Sequence, residues 1–196
     1  MGCEDGCIYC FARPTHAFQG MSPGLDFETK LFAKPDAAAV LEKELRKPSY
    51  LPETLAIGTN TDPYQPVESN RRITRDVLKV LSKFNHPTAI VTKSQLILRD
   101  LDILASMAGR DLLSVGISVT TLERRLSRVM EPRAPTPQRR LETVRKLAEA
   151  RVPVTVMLAP IIPAINDHEI ETVIAAAAEA GACAADYILL RLPREV

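Results

Sequence analysis

The chain has 196 residues, 46% hydrophobic and 25% charged, a length and balance that suit a single soluble globular domain, spanning residues 1–196, with a sizeable core. A formal charge of +1, from 25 Lys and Arg against 24 Asp and Glu, gives no support for broad binding to nucleic acid or other polyanions. No apolar run approaches the ~20 residues of a membrane span and no signal-peptide core opens the chain, so the expected location is the reducing cytoplasm, with no membrane contact.

The first feature is a loop. Cys3, Cys7 and Cys10 are spaced C-x3-C-x2-C, with Tyr9 just before the last. A [4Fe–4S] cluster normally takes four protein thiolates, so three leave one iron for another ligand. A structural zinc site would need a fourth ligand, which His16 offers, but zinc modules usually pair one knuckle with a second. No second knuckle exists here. A disulfide framework would want dispersed cysteines in a secreted chain, and the repeated C-x2-C-x2-C of two-cluster ferredoxins is absent. Only Met1 and Gly2 precede Cys3, fewer than the roughly five or six residues of a strand. The chain stops at Arg191-Leu-Pro-Arg-Glu-Val196, just past an apolar run. The expectation is therefore a domain that lacks its first strand and is truncated at both ends.

Leu25–Ala33 reads as extended, from a weak alternation of Leu25, Phe27, Leu31 and Phe32. Asp36 looks like an N-cap for a helix to about Lys47. A theme then repeats: strand Leu55–Ile57, helix Asn70–Phe84, strand Thr88–Thr92, helix Asp100–Ala108, strand Leu112–Val119. Helix Thr136–Ala150, strand Val152–Pro160, helix Asp167–Ala180 and strand Tyr187–Leu192 follow. Alternating apolar strands and amphipathic helices predict an α/β fold with a parallel sheet. Periodicity alone leaves a barrel and a doubly wound sheet open. In either, functional loops gather at the strands' carboxyl ends. Cys183, in an alanine-rich run, reads as a small buried hydrophobe.

The stretch Cys3-Glu-Asp-Gly-Cys-Ile-Tyr-Cys-Phe-Ala-Arg-Pro14 resembles the signature loop of the radical S-adenosylmethionine (SAM) enzymes. The resemblance implies a partial (β/α)6 TIM-like barrel, with five strands visible here. It implies a [4Fe–4S] cluster on Cys3, Cys7 and Cys10, with SAM bound to the fourth iron. It implies reductive cleavage of SAM to a 5′-deoxyadenosyl radical that abstracts hydrogen from a substrate, the electron coming from an external donor of flavodoxin or ferredoxin type.

Gly58-Thr-Asn-Thr-Asp-Pro-Tyr-Gln-Pro-Val-Glu68 follows the first visible strand and is similar to the segment that holds the methionine amino group in these enzymes. Gly58, Thr59, Asn60, Thr61 and Asp62 are its candidates. The Thr-Asp-Pro run resembles the spore photoproduct lyase branch, often labelled DNA repair photolyase-like. Lys93, in Val91-Thr-Lys-Ser94, stands where those lyases carry a lysine near the cofactor. Ser118 resembles a serine that meets the ribose or carboxylate, and Tyr9 an aromatic beside the adenine. Glu131-Pro-Arg-Ala-Pro-Thr136 and Ala159-Pro-Ile-Ile-Pro163 also match by position. Thr59 stands where the lyases place their hydrogen-donor cysteine, and a hydroxyl is a far poorer donor, so the thymine-dimer reaction is not implied.

The cysteine loop, Pro-Gly-Leu-Asp-Phe-Glu-Thr-Lys and the Gly58–Glu68 segment together resemble a bacterial radical SAM group of unsettled substrate. The alternative is a non-catalytic, metal-stabilised module that binds nucleic acid, suggested by arginines 124, 125, 128, 133, 139 and 140. Interspersed Glu123, Glu131 and Glu142 read instead as a solvated face.

Overall fold

Five short apolar segments become the strands of one sheet: β1 (Leu55–Ile57), β2 (Thr88–Thr92), β3 (Leu113–Ser118), β4 (Val154–Ile161) and β5 (Ala184–Leu189). The computed structural model describes residues 1–192. The helices are α1 (Leu25–Thr29), α2 (Ala37–Leu45), α3 (Glu68–Arg71), α4 (Ile73–Lys83), α5 (Leu101–Ala108), α6 (Arg124–Met130), α7 (Pro137–Glu149) and α8 (Ile170–Glu179). Among the described residues, no helix is long and apolar enough to cross a membrane.

Every strand pair is parallel, and spatial order equals chain order, β1-β2-β3-β4-β5. A doubly wound sheet reverses its strand order at a switch point. This one never reverses, so each crossover moves the same way and the helices collect on one face, as in a partial barrel. The core lies between that face and the helices: Ile90, Val115, Ile117, Val154 and Val156 meet Leu78, Leu81, Leu104, Met107, Val144 and Leu147. Along β4 the alternate residues Thr155, Met157 and Ala159 are only half-buried, so they mark the opposite, inner face.

Four expectations need correction. Leu25–Ala33 is not extended: Leu25–Thr29 is a helical turn, with Phe27 buried against Cys3 and Ala12 while Leu25 stands in solvent. Asp26 favours that turn by pairing with Lys30 and accepting the Ser22 N–H. The helix expected from Asn70 is broken at Arg72, whose φ of 53° is left-handed. There the Glu68 carboxylate accepts the Ile73 and Thr74 N–H groups at 3.1 and 2.9 Å, so the helix restarts with a side-chain cap.

The last strand starts earlier than its apolar signal, since Ala184 already pairs with Thr155. All six residues of β5 are exposed, and so is Cys183, whose Sγ donates to the Val154 carbonyl. The expected buried role of Cys183 therefore fails, because it precedes an edge strand that no helix covers among the described residues. Of the terminal stretch Arg191–Val196, residues 193–196 lie outside the described residues.

Candidate functional site

The cysteine loop lies across the carboxyl ends of the strands, held there by hydrogen bonds that are mostly not its own. Arg13 is buried and donates twice to the Cys7 carbonyl, from Nε at 3.3 Å and Nη2 at 3.0 Å, while its Nη2 also pairs with Glu28. The Cys3 N–H donates to the Phe27 carbonyl and the Ile8 N–H to the Met130 carbonyl, each at 3.0 Å. From the loop after β1, Gln65 accepts from the Glu4 N–H and donates to the Gly2 carbonyl. Glu4 in return accepts from the Val67 N–H at 2.7 Å. Arg133, beyond β3, donates to the Glu4 carbonyl and pairs with Glu28. The loop is thus fixed by three separate parts of the chain.

Under it sits a buried charged network. The Tyr9 phenol donates to Glu131, which also accepts from Thr120 at 2.9 Å and is paired with Arg140. Arg140 is 1% exposed and spends its other donors on the Pro135 and Ser118 carbonyls, at 2.8 and 3.1 Å. Burial alone would raise the Glu131 pKa, but the charges of Arg140 and Lys93 and the donors of Arg140 and Tyr9 hold it below the usual carboxylate value. The Lys93 Nζ lies 6.0 Å from the Tyr9 ring centroid. Desolvation pulls its pKa down, yet it stands well above the ordinary value, because Tyr9 and Cys7 would be ionised in the range where it titrates and Glu131 already is.

Burial raises the Cys3 thiol, and Asp5 adds to it. Cys7 is pushed up to about 12, chiefly by burial, against the pull of Lys93. Such thiols stay protonated at neutral pH until a metal displaces the proton. Asp5 itself rises to about 6 through burial and repulsion from Asp62 and Glu131.

The predicted site residues divide. Asp62 faces inward as a structural clamp: its carboxylate accepts from the Thr92 hydroxyl at 2.6 Å and from the Lys93 and Tyr64 N–H groups at 2.8 Å each. That ties the loop after β1 to the end of β2 and leaves little of Asp62 for a ligand. Thr59 and Asn60 are exposed, and Gly58 and Thr61 half-buried. Ser118 is buried at the end of β3, its carbonyl engaged by Arg140. Tyr9 and Lys93 meet at the centre.

Arg13, Glu28, Glu131 and Arg140 carry the assembly and were not foreseen in these roles. In sequence the last pair is visible only as a Glu-Pro step before an arginine-bearing helix and as members of a charged stretch that reads as a solvated face, whereas both are buried. His16, the candidate fourth zinc ligand, is fully buried against Phe27 and Phe32 with Nε2 on the Lys30 carbonyl. Among the described residues no three His, Cys, Asp or Glu side chains converge on one metal-ion position. A cubane takes each thiolate on a different iron and does not require that convergence; a single zinc ion does. The donor set of three thiols on one pinned loop therefore fits the cluster.

A cavity of about 440 Å³ opens beside the loop, lined by Asp5, Ser94, Gln95, Arg99, Arg133 and Lys146 among others. The six arginines of the nucleic-acid reading do not share a face. Arg124, Arg125 and Arg128 are exposed on α6, Arg133 braces the cysteine loop, Arg139 reaches Gln95, and Arg140 is buried on Glu131.

Against known families, residues 1–177 match the model of the radical SAM superfamily. The chain belongs to the radical SAM superfamily. An uncharacterized protein of Mycobacterium tuberculosis is 41% identical over 166 residues, 85% of this chain and 49% of its own length. An uncharacterized protein of Acidianus two-tailed virus is 30% identical over 169 residues, 83% of this chain and 54% of its own. This radical SAM chain thus spans about half the length of such relatives. Among solved structures, a spore photoproduct lyase mutant with bound AdoMet and dinucleoside spore photoproduct superposes with a TM-score of 0.72 at 16% identity, covering 99% of this chain and 56% of that one. SuiB of Streptococcus suis bound to S-adenosylmethionine gives 0.70 at 16%, covering 99% and 40%. At these identities the likeness is one of fold, and it agrees with the partial barrel of parallel strands.

Proposed function

We propose that Cys3, Cys7 and Cys10 hold a [4Fe–4S] cluster and that the loops at the carboxyl face of the sheet hold SAM beside it, for hydrogen abstraction from a substrate still to be identified. The single observation that carries this is the C-x3-C-x2-C loop of a radical SAM chain, pinned by Arg13, Glu4 and Tyr9 over the strand ends. When bound, cluster and cofactor supply one-electron reductive cleavage of a sulfonium to a 5′-deoxyadenosyl radical. The residues supply placement. Arg13 and Glu131 fix the loop's two halves, Tyr9 lends an aromatic face, and Lys93 a cation at the centre. Thr59 and Asn60, exposed at the mouth, offer hydroxyl and amide groups to the polar end of the cofactor, and Ser118 and Thr61 line the approach. Gly58 through its backbone and Asp62 through its carboxylate clamp set the loop's path.

Anaerobic reconstitution tests the cluster. The expected product is a brown protein with iron and sulfide near four each and absorption near ~400 nm. Cys7→Ala should lose most of the iron, since a thiolate goes from a site already one short of four. A Cys7→Ala protein that keeps full iron, or a wild-type chain that takes up one zinc per molecule in preference, would overturn the assignment. For the cofactor end, Asn60→Leu should weaken SAM binding about tenfold while iron content is unchanged, because a lost polar contact left unpaired costs ~1–3 kcal/mol. Isothermal titration of the reconstituted variant measures it, and an unaltered affinity would remove Asn60 from the site.

A further inference from the structure

Beside the cysteine loop, the surface is apolar at its centre and cationic at its edge. Ile8 and Phe11, which flank Cys7 and Cys10 in sequence, are 56% and 62% exposed. The bond from the Ile8 N–H to the Met130 carbonyl sets this loop against the end of α6, where Val129 is 61% exposed. Helix α6 buries Ser127 and Met130 and turns Arg124, Arg125, Arg128 and Val129 outward. Helical spacing stacks Arg125 under Val129 and Arg124 under Arg128. Glu123, at the start of the helix, is the one exposed carboxylate on this element. Neither the core nor the charged network accounts for these side chains.

Two exposed apolar side chains beside Cys7 and Cys10, with Val129 brought to them by the Ile8–Met130 bond, are edged by Arg124, Arg125 and Arg128. The last donates from Nη1 to the Pro132 carbonyl at 2.7 Å yet keeps its charge at the surface, and together these side chains form a small docking surface. We infer that this face receives an acidic one-electron carrier protein, whose carboxylates meet Arg124, Arg125 and Arg128 while its redox group is set against the loop of Cys7 and Cys10. In the transfer, one electron leaves the carrier and enters the cluster; no bond forms or breaks. This rests on the cluster reading above and assigns that cluster its side of entry. Charge complementarity selects the partner, since a cationic rim steers acidic surfaces and speeds encounter 10- to 1,000-fold. The small apolar centre suits the brief, low-area contacts of electron-transfer pairs.

The experiment uses the whole reconstituted chain and a purified flavodoxin as the acidic carrier. Anisotropy of labelled flavodoxin reads affinity, and stopped-flow bleaching of the iron–sulfur absorption reads electron entry. The double variant Arg124→Glu with Arg125→Glu should weaken binding and slow bleaching at least tenfold at low salt, with the gap closing as salt screens it. The double Arg→Lys variant should stay within about threefold of wild type. Bleaching by dithionite, which needs no docking, should be equal in all three. Equal flavodoxin affinity in the charge-reversed and wild-type proteins would overturn the docking surface while leaving the cluster standing. Displacement of flavodoxin by anionic lipid vesicles or single-stranded RNA at lower concentrations would overturn it in favour of those partners. A wild-type chain without iron would instead overturn the cluster reading beneath it.

Discussion

Arg140→Met is expected to cost about 3–5 kcal/mol of folding stability at pH 7, because it leaves the Glu131 carboxylate buried without its partner. Both side chains are at most 1% exposed, so water cannot take over the guanidinium's role. The sign of the pH dependence follows from Glu131. In the native chain burial raises its pKa, but Arg140 and Lys93 more than compensate and the folded value lies below the unfolded one. A depressed carboxylate contributes stability above its unfolded pKa of about 4.3, and that contribution is lost as pH falls through the folded value. Removing Arg140 leaves burial with less opposition, so the Glu131 pKa rises and the contribution shrinks or reverses above pH ~4.3. The deficit of the variant should therefore be largest at neutral pH and narrow towards pH 4. Denaturant melts at the two pH values measure it. The double variant Glu131→Gln with Arg140→Met should recover part of the loss, since no unpaired charge remains. A single variant within about 1 kcal/mol of wild type at pH 7 would show that the pair does not hold the loop's floor together.

Gly58→Ala should be nearly as damaging. Gly58 follows β1 with a φ of 94°, and a Cβ there would stand 2.0 Å from the Val91 carbonyl oxygen and 3.0 Å from Pro63. The carbonyl belongs to β2 and cannot swing aside without breaking the ladder. Backbone strain and overpacking together suggest a loss of about 3 kcal/mol or more, which in a domain of this size lowers the melting temperature by roughly 6–12 °C. Gly20 provides the control: its φ is 68°, but nothing lies within 4 Å of the added carbon. Gly20→Ala should thus show the left-handed penalty alone, about 1–2 kcal/mol. Calorimetry of both variants separates the collision from the strain, and equal melting points would mean that the Gly58 loop yields.

Much of this protein was legible from one dimension. The cysteine spacing named the superfamily because ligands on one loop are close in sequence as well as in space. The strands β2 and β3 fell within a residue of their apolar signals because buried parallel strands must be apolar throughout. Signals that depend on a distant partner were silent or misleading. Leu25–Thr29 alternates weakly yet turns helical, because Phe27 finds Cys3 and Ala12 rather than a strand. Cys183 sits among alanines yet is exposed, because β5 is the last strand in the sheet's order and its neighbour on that side is solvent among the described residues.

The six arginines show the division most clearly. In sequence they are alike, each near a glutamate. In the fold Arg140 is buried in a charged network, Arg133 ties two loops, and Arg124, Arg125 and Arg128 face outward. Composition and periodicity determine which residues can be buried and what chemistry the cysteines can do. Which charge meets which is decided only when β3, α7 and the cysteine loop converge, since Tyr9 lies 122 residues from Glu131, and even Glu131 and Arg140, nine residues apart, meet only because the chain turns back between α6 and α7. Pairing energy in a dry interior depends on contact distance, and contact distance is a property of the tertiary structure alone.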